Sequence, residues 1–312
     1  MTFAIICSGQ GNQHRDMFAL TADSAKASHL FASATMLLNG IDPRGMVKRE
    51  AGNEVFENRT AQILCTLQTL AAINELHASI PPRTVYAGYS VGEVAAWGAA
   101  GVFRHIDTLK LVARRAELMS AASVTGDGLV FIRGLPYVTV RRLCEKHGGD
   151  ISIINPRDAF VVGGGQAFLA AVMQAATDAH AARVSRLPVE VASHTPFLSK
   201  VSMRFRSVLE GQRKTYPPPA GARLISGIDG ASVSGLNSGL DKLAAQISHT
   251  VRWADNLQAC VENGATAFLE LGPGHALSEM AATSFPNVPS RCLEDFKTMD
   301  GAKSWISKWA SR

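Results

Sequence analysis

The sequence lacks any pairing of cysteines that would suit a metal or a staple. Cys7, Cys65, Cys144, Cys260 and Cys292 are scattered, odd in number and free of any C-x-x-C spacing. That excludes a zinc ribbon or a disulfide framework and makes reduced thiols in a cytoplasmic protein the expectation. Charge is sparse as well. Only 18% of residues are Asp, Glu, Lys or Arg while 46% are apolar, which excludes a disordered chain. Lys plus Arg number 31 against 26 Asp plus Glu, a net of +5. That mild excess admits a phosphorylated or acidic partner and gives no sign of nucleic-acid binding. Long apolar runs are also missing. The most apolar stretch, Tyr86 to Phe103, carries Glu93 and five glycines or serines, so it reads as a buried turn and helix rather than a membrane span. The segment Met1 to Gln10 has no basic residues ahead of its short apolar run, against a secretory signal.

What is present is a chain of 312 residues, enough for a sizeable core and, at about 150 residues per domain, for two domains or one with an insertion. Phe3 to Ser8 is a continuous apolar run ending at Gly9-Gln10-Gly11, the pattern of a buried strand entering a tight loop. Residues 61 to 79 carry apolar side chains at helical spacing. Thr84 to Ala87 reads as a strand, Val91 to Ala100 as a helix, and Asp107 as the cap of the next helix. This alternation predicts an α/β fold with a mainly parallel sheet. Strands and helices over 125–189 follow the order β-α-β-β-α-β, which predicts an inserted ferredoxin-like subdomain. The core is then 1–124 with 190–312. In it, Phe197 to Leu209 reads as a helix, Arg223 to Ile228 as a strand, Leu240 to Ile247 and Trp253 to Glu262 as helices, and Ala267 to Leu271 as a strand before Gly272-Pro273-Gly274.

The sharpest chemical signal is Gly88-Tyr89-Ser90-Val91-Gly92, a G-x-S-x-G between a strand and a helix. In that context the turn lifts Ser90 above the sheet as a nucleophile in an α/β-hydrolase-like core, and the helix start aims N–H groups at the site. The Val91 N–H is a natural oxyanion donor. A serine nucleophile needs a base. His194, after the insert, and His275, near the C-terminus, are both candidates on position alone. The Gly9–Gly11 loop could bring its backbone close to a substrate. Arg114 and Arg115 lie on an otherwise apolar helix. A buried arginine there needs a partner, and a substrate carboxylate is one that would fit its fork.

Together these segments resemble the malonyl-CoA:acyl carrier protein transacylase family over roughly residues 3 to 285. The resemblance is carried by Gly9-Gln10-Gly11 with Gln13, Gly88-Tyr89-Ser90-Val91-Gly92-Glu93, Arg115 with Met119, Asn155-Pro156, Ser193-His194, Gln246 ahead of Val251-Arg252-Trp253, and Glu270-Leu271-Gly272-Pro273-Gly274. It implies that Ser90 accepts the acyl group, that His194 is its base, and that the backbone carbonyl of Gln246 orients the imidazole in place of a carboxylate. It implies that Gln10 and Val91 form the oxyanion hole, that Arg115 binds the malonyl carboxylate and that Asn155 lines the pocket. Malonyl-CoA is then the substrate, an acyl carrier protein the partner, and no metal or bound cofactor is needed.

The departures carry information too. Fatty-acid members usually have His before the serine and Leu after it, where this chain has Tyr89 and Val91. Ser8 and Asn12 stand where they usually have Pro and Ser. The Tyr-Ser-Val-Gly-Glu form resembles the malonyltransferase subunit of bacterial malonate decarboxylase, which implies the small carrier subunit of that complex as the partner. The fatty-acid or polyketide transacylase is the alternative home. Arg141, Arg142, Arg204, Arg206, Arg213 and Lys214 are candidate contacts for an acidic carrier. Two other classes remain: a serine (thio)esterase using Asp229 and His275, and a carrier-docking subunit without catalysis.

Overall fold

The protein is described here by a computed structural model covering residues 2–49, 53–219 and 221–310. The chain begins with strand β1 (Thr2–Cys7), followed by helices α1 (Ser28–Leu37), α2 (Pro43–Met46) and α3 (Asn58–Leu76). Strand β2 (Thr84–Gly88) leads into α4 (Val91–Ala99) and α5 (His105–Ser120). A smaller unit follows, built from β3 (Gly128–Arg133), α6 (Tyr137–His147), β4 (Asp150–Asn155), β5 (Ala159–Gly164), α7 (Gln166–Asp178) and β6 (Arg183–Arg186). The chain then runs through α8 (Ser199–Glu210), β7 (Arg223–Leu224), α9 (Leu236–Ala245), α10 (Trp253–Glu262) and β8 (Ala265–Leu271). It ends with α11 (Ala276–Ser284), β9 (Ser290–Cys292) and α12 (Met299–Ala310).

The main sheet has the order β7-β2-β1-β8-β9, and every neighbouring pair is parallel. Five of the six β1 residues are buried, which is why that strand reads as an unbroken apolar run rather than an alternating one. Helix α3 is buried on nearly every side and has little amphipathic character, as a helix in a core interior does. Cys7 pairs with Gly88 on one side and Leu271 on the other. The loops after β1, β2 and β8 therefore leave the sheet at one level, the carboxyl edge where parallel sheets place their sites.

The smaller unit is a separate antiparallel sheet of order β4-β5-β3-β6. Its strands alternate. Val130, Ile132, Phe160 and Val162 pack with Val140, Phe168 and Val172 of α6 and α7 in their own apolar cluster. Leu129 and Val161 point the other way and join the main core. A register shift between Ile151 and Ile153 lets these two face opposite sides, so Ile153 also reaches the main core.

Three expectations need correction. The strand foreseen over Arg223 to Ile228 stops at Leu224. Beyond it Ile225 bridges to Ser232, and the Gly227 carbonyl accepts from the Arg252 N–H at 2.8 Å, so this stretch turns back instead of extending the sheet. Asp107 does not cap α5. It lies in the first turn of the helix, where its carboxylate accepts from Arg104 Nε at 2.6 Å. The helix expected from Phe197 begins as a 3-10 turn over Pro196–Leu198 and becomes α-helical at Ser199. Among the described residues no helix is long and apolar enough to cross a membrane.

Candidate active site

The elbow between β2 and α4 is set by contact, not by preference. A Cβ on Gly88 would lie 2.1 Å from the Gly92 carbonyl group, and one on Gly92 would lie 2.1 Å from the Cys7 carbonyl oxygen. Only hydrogen fits at either place, so the turn closes tightly and Ser90 is left at its apex. Ser90 holds φ 56° and ψ −118°, a conformation that costs a non-glycine residue about 1–3 kcal/mol. The Gly92 and Glu93 N–H groups turn back to the Tyr89 and Ser90 carbonyls. Val91, first in α4, has no carbonyl one turn earlier to reach, so its N–H is available at the helix's positive end.

His194 meets the serine from the segment that follows the smaller unit. Its Nε2 lies 2.8 Å from Ser90 Oγ and its Nδ1 2.5 Å from the Gln246 carbonyl oxygen. A carbonyl can only accept, so Nδ1 carries the proton and Nε2 accepts from the Ser90 hydroxyl. His194 also sits at positive φ, 62°, and its backbone N–H donates to the Ile247 carbonyl at 2.8 Å. Burial, with the Arg115 charge behind it, pushes the imidazole down to about 3, against the pull of the Gln246 carbonyl. The ring is neutral and ready to take a proton. Among the described residues no carboxylate is hydrogen-bonded to it.

Arg115 is 1% exposed and opens onto the same cleft. Its Nη1 donates to Gln62 Oε1 at 2.8 Å and its Nη2 to Gln246 Oε1 at 3.2 Å, while Nε has no partner among the described residues. Among the described residues, then, a fully buried cation is hydrogen-bonded by neutral amides alone. Burial pushes it down to about 10, which still leaves it charged at neutral pH. Glu93 lies behind Gln246 and accepts from its Nε2 at 2.7 Å. Burial pushes that carboxyl up to about 8. The cleft itself is narrow, about 60 Å³. Gln10, Ser90, His194 and Arg115 line it, with Leu129, Ile153 and Val161 of the smaller sheet supplying an apolar wall.

The loop carrying Gln10 is braced from two sides. Gln13 accepts from the Gly11 N–H at 2.5 Å and donates to the Val55 carbonyl at 2.9 Å. Ser8, where a proline was the family expectation, donates to buried Glu270 at 2.8 Å. Asn155 hydrogen-bonds the hydroxyl of Tyr89, which itself lines the cleft. Asn155 is buried at the end of β4 and lines a neighbouring depression with Tyr137, Arg157 and Arg252. Tyr89 lines the cleft and packs edge-on against Trp253, ring centroids 5.4 Å apart.

The rival base is elsewhere. The His275 side chain is 64% exposed and lies 3.3 Å from Glu279, and Asp229 is paired with Lys242 at 2.6 Å. The Asp229–His275 form of the esterase is therefore not assembled. Of the basic candidates, Arg141 pairs with Glu145, and Arg206 with Glu210 and Asp241, which reduces the charge they offer a partner. Among the described residues no cluster of His, Cys, Asp or Glu could hold a metal. Sequence reading missed Gln62 entirely and saw only the main chain of Gln246. A buried glutamine at helical spacing gives no signal of its target.

A neutral Ser–His pair of this geometry can attack a carbonyl carbon, backbone N–H groups at a helix start can shelter an oxyanion, and a buried guanidinium can hold a carboxylate. Comparison with known proteins agrees with this chemistry. The acyl transferase domain family model matches residues 4–288. A malonyl CoA-acyl carrier protein transacylase of Mycolicibacterium smegmatis is 28% identical over 272 residues, covering 85% of this chain and 92% of that one. One of Mycobacterium bovis is 28% identical over 303 residues, covering 95% and 98%. The crystal structure of an acyl-carrier-protein S-malonyltransferase from Burkholderia pseudomallei superposes with a TM-score of 0.88 at 28% identity, covering 97% of this chain and all of that one.

Proposed function

We propose that this chain, which belongs to the acyl transferase domain family, moves a malonyl group from coenzyme A to the prosthetic thiol of an acyl carrier protein through a malonyl-Ser90 intermediate. The observation that carries the reading is one cleft holding both the Ser90–His194–Gln246 carbonyl chain and an arginine with no anionic partner among the described residues. We name the carrier of fatty-acid or polyketide synthesis rather than the malonate decarboxylase subunit expected from Tyr89 and Val91. The relatives that match nearly full length are described as malonyl CoA-acyl carrier protein transacylases.

In the first half-reaction Ser90 Oγ attacks the thioester carbonyl while His194 Nε2 takes the hydroxyl proton. The oxyanion is received by the Val91 and Gln10 N–H groups, one such donor being worth about 10²–10³ in rate. The C–S bond breaks, the imidazolium protonates the departing sulfur, and Ser90 is left as a malonyl ester. A carrier thiol then gives its proton to His194, attacks the ester, and Ser90 recovers its hydroxyl. The malonyl carboxylate, seated at Arg115, offsets the charge that disfavours imidazolium. Substrate binding thereby makes His194 a stronger base at the moment of need.

The four-strand order and the separate apolar cluster support a ferredoxin-like subdomain at 125–189, set into an α/β-hydrolase-like core of 1–124 and 190–312. The buried, unpaired cysteines suit a reducing cytoplasm. Intact mass after brief incubation with malonyl-CoA tests the central reading. We expect a malonyl adduct that is absent in Ser90→Ala and is discharged by an acyl carrier protein. Release of free coenzyme A without an adduct would overturn it in favour of hydrolysis.

A further inference from the structure

One buried carboxyl has no part in the transfer steps. Glu93, in the first turn of α4, is 1% exposed. Its Oε2 accepts from Gln246 Nε2, and the same Nε2 donates to the Ser90 carbonyl at 2.9 Å. The Ser90 carbonyl can only accept and Arg115 can only donate, so the amide must turn its NH₂ to the Ser90 and Glu93 side. The Gln246 Oε1 then faces Arg115 Nη2. The reverse orientation would set an NH₂ against a guanidinium and leave Glu93 and the Ser90 carbonyl unserved. The main-chain oxygen of the same residue holds His194. Gln246 is the joint between the nucleophile–base pair and the buried cation, and Glu93 fixes the joint.

We propose that Glu93 is a positioning residue that, through the Gln246 amide, sets how freely Arg115 receives the substrate carboxylate and so governs the preference for malonyl over acetyl thioesters. This inference rests on the malonyl-transfer reading. Several groups act on Glu93. The Gly227 N–H, Gln246 and Arg115 from α5 each pull its pKa down. Burial pushes it up more strongly, and Asp229, itself tied to Lys242 of α9, adds to that push. His194 is neutral and contributes no charge. At neutral pH the carboxyl therefore keeps its proton, and the Arg115 charge stays uncompensated until a substrate carboxylate arrives. Above about 8 Glu93 ionises and competes with that carboxylate.

The experiment measures KM and kcat for loading of Ser90 from malonyl-CoA and from acetyl-CoA at about pH 7 and about pH 9, in wild type, Glu93→Gln and Glu93→Ala. We expect the wild-type malonyl KM to rise by up to about tenfold over this range, one pH unit past ionisation, with acetyl unmoved. Glu93→Gln has no proton to lose and should hold its malonyl KM flat. Glu93→Ala frees the amide and should raise the malonyl KM at neutral pH while sparing acetyl. A Glu93→Gln profile that follows wild type would overturn the proposal, as would a Glu93→Ala loss equal for both thioesters. Where Glu93→Ala does not fold, the Glu93→Gln profile decides. Wild type that takes no malonyl at Ser90 would instead overturn the parent reading.

Discussion

At the scale of single residues, the argument turns on Arg115. Its two protein partners are amide oxygens, and a buried cation of that kind is stable only as long as something shares the load. A substrate carboxylate adds the missing charge and can take the unpartnered Nε edge. Truncation to Arg115→Ala removes this partner from a desolvated carboxylate, a loss of about 2–5 kcal/mol in malonyl transfer. We expect kcat/KM for malonyl-CoA to fall accordingly, with acetyl-CoA affected far less. Arg115→Lys should rescue little, because a point charge cannot serve Gln62, Gln246 and a carboxylate from one plane. Comparable losses for both thioesters would assign Arg115 to packing instead.

At the scale of elements, the elbow is the feature most open to test. Gly92→Ala would press a methyl into the Cys7 carbonyl, backbone against backbone, and neither β1 nor α4 can yield without moving the other. We expect a loss of about 3 kcal/mol or more, read as a fall in melting temperature, with Ser90 loading lost alongside. Gly45→Ala in α2 meets open space and serves as the control that leaves stability unharmed. The elbow was legible from sequence because its requirement is local: two glycines, a strand before and a helix after. The joining of Ser90 to His194 was not legible in the same way. They are 104 positions apart, and His275 stayed a rival by position until the family resemblance settled on His194. Gln62, and the side-chain roles of Glu93 and Gln246, were beyond sequence reading. Their meaning lies in contacts 53 to 153 positions apart, and a polar side chain in a buried helix looks the same whatever it faces. The short β7 failed for a related reason. Arg223 to Ile228 has a strand's composition, but its end turns back on 231–233 and takes the Arg252 N–H at Gly227 instead of pairing further with β2.

At the scale of the whole molecule, the cost of building the site appears as a dependence of stability on pH. Unfolded histidine titrates near 6.5. Folded His194 is held down to about 3 and His105 to about 4, both chiefly by burial. Between these values the unfolded chain binds more protons than the native one, so the contribution is fully present above about 6.5 and drains as pH falls toward the folded values. Glu93 acts in the opposite direction. Its folded carboxyl keeps a proton up to about 8, so its contribution is fully present below the ordinary carboxylate range and is lost as pH rises through about 8. These opposed slopes hide each other in the wild type and must be separated by substitution. At about 1.4 kcal/mol per pH unit, the 1.5 units from 6.5 to 5 cost the His194 site about 2 kcal/mol. A His194→Gln variant has no such proton to refuse. We therefore expect its stability relative to wild type to improve by about 2 kcal/mol between pH 7 and pH 5, measured by urea denaturation at both. Parallel behaviour of the two proteins would mean that His194 titrates freely in the fold, and the neutral, buried base on which the transfer chemistry depends would have to be abandoned.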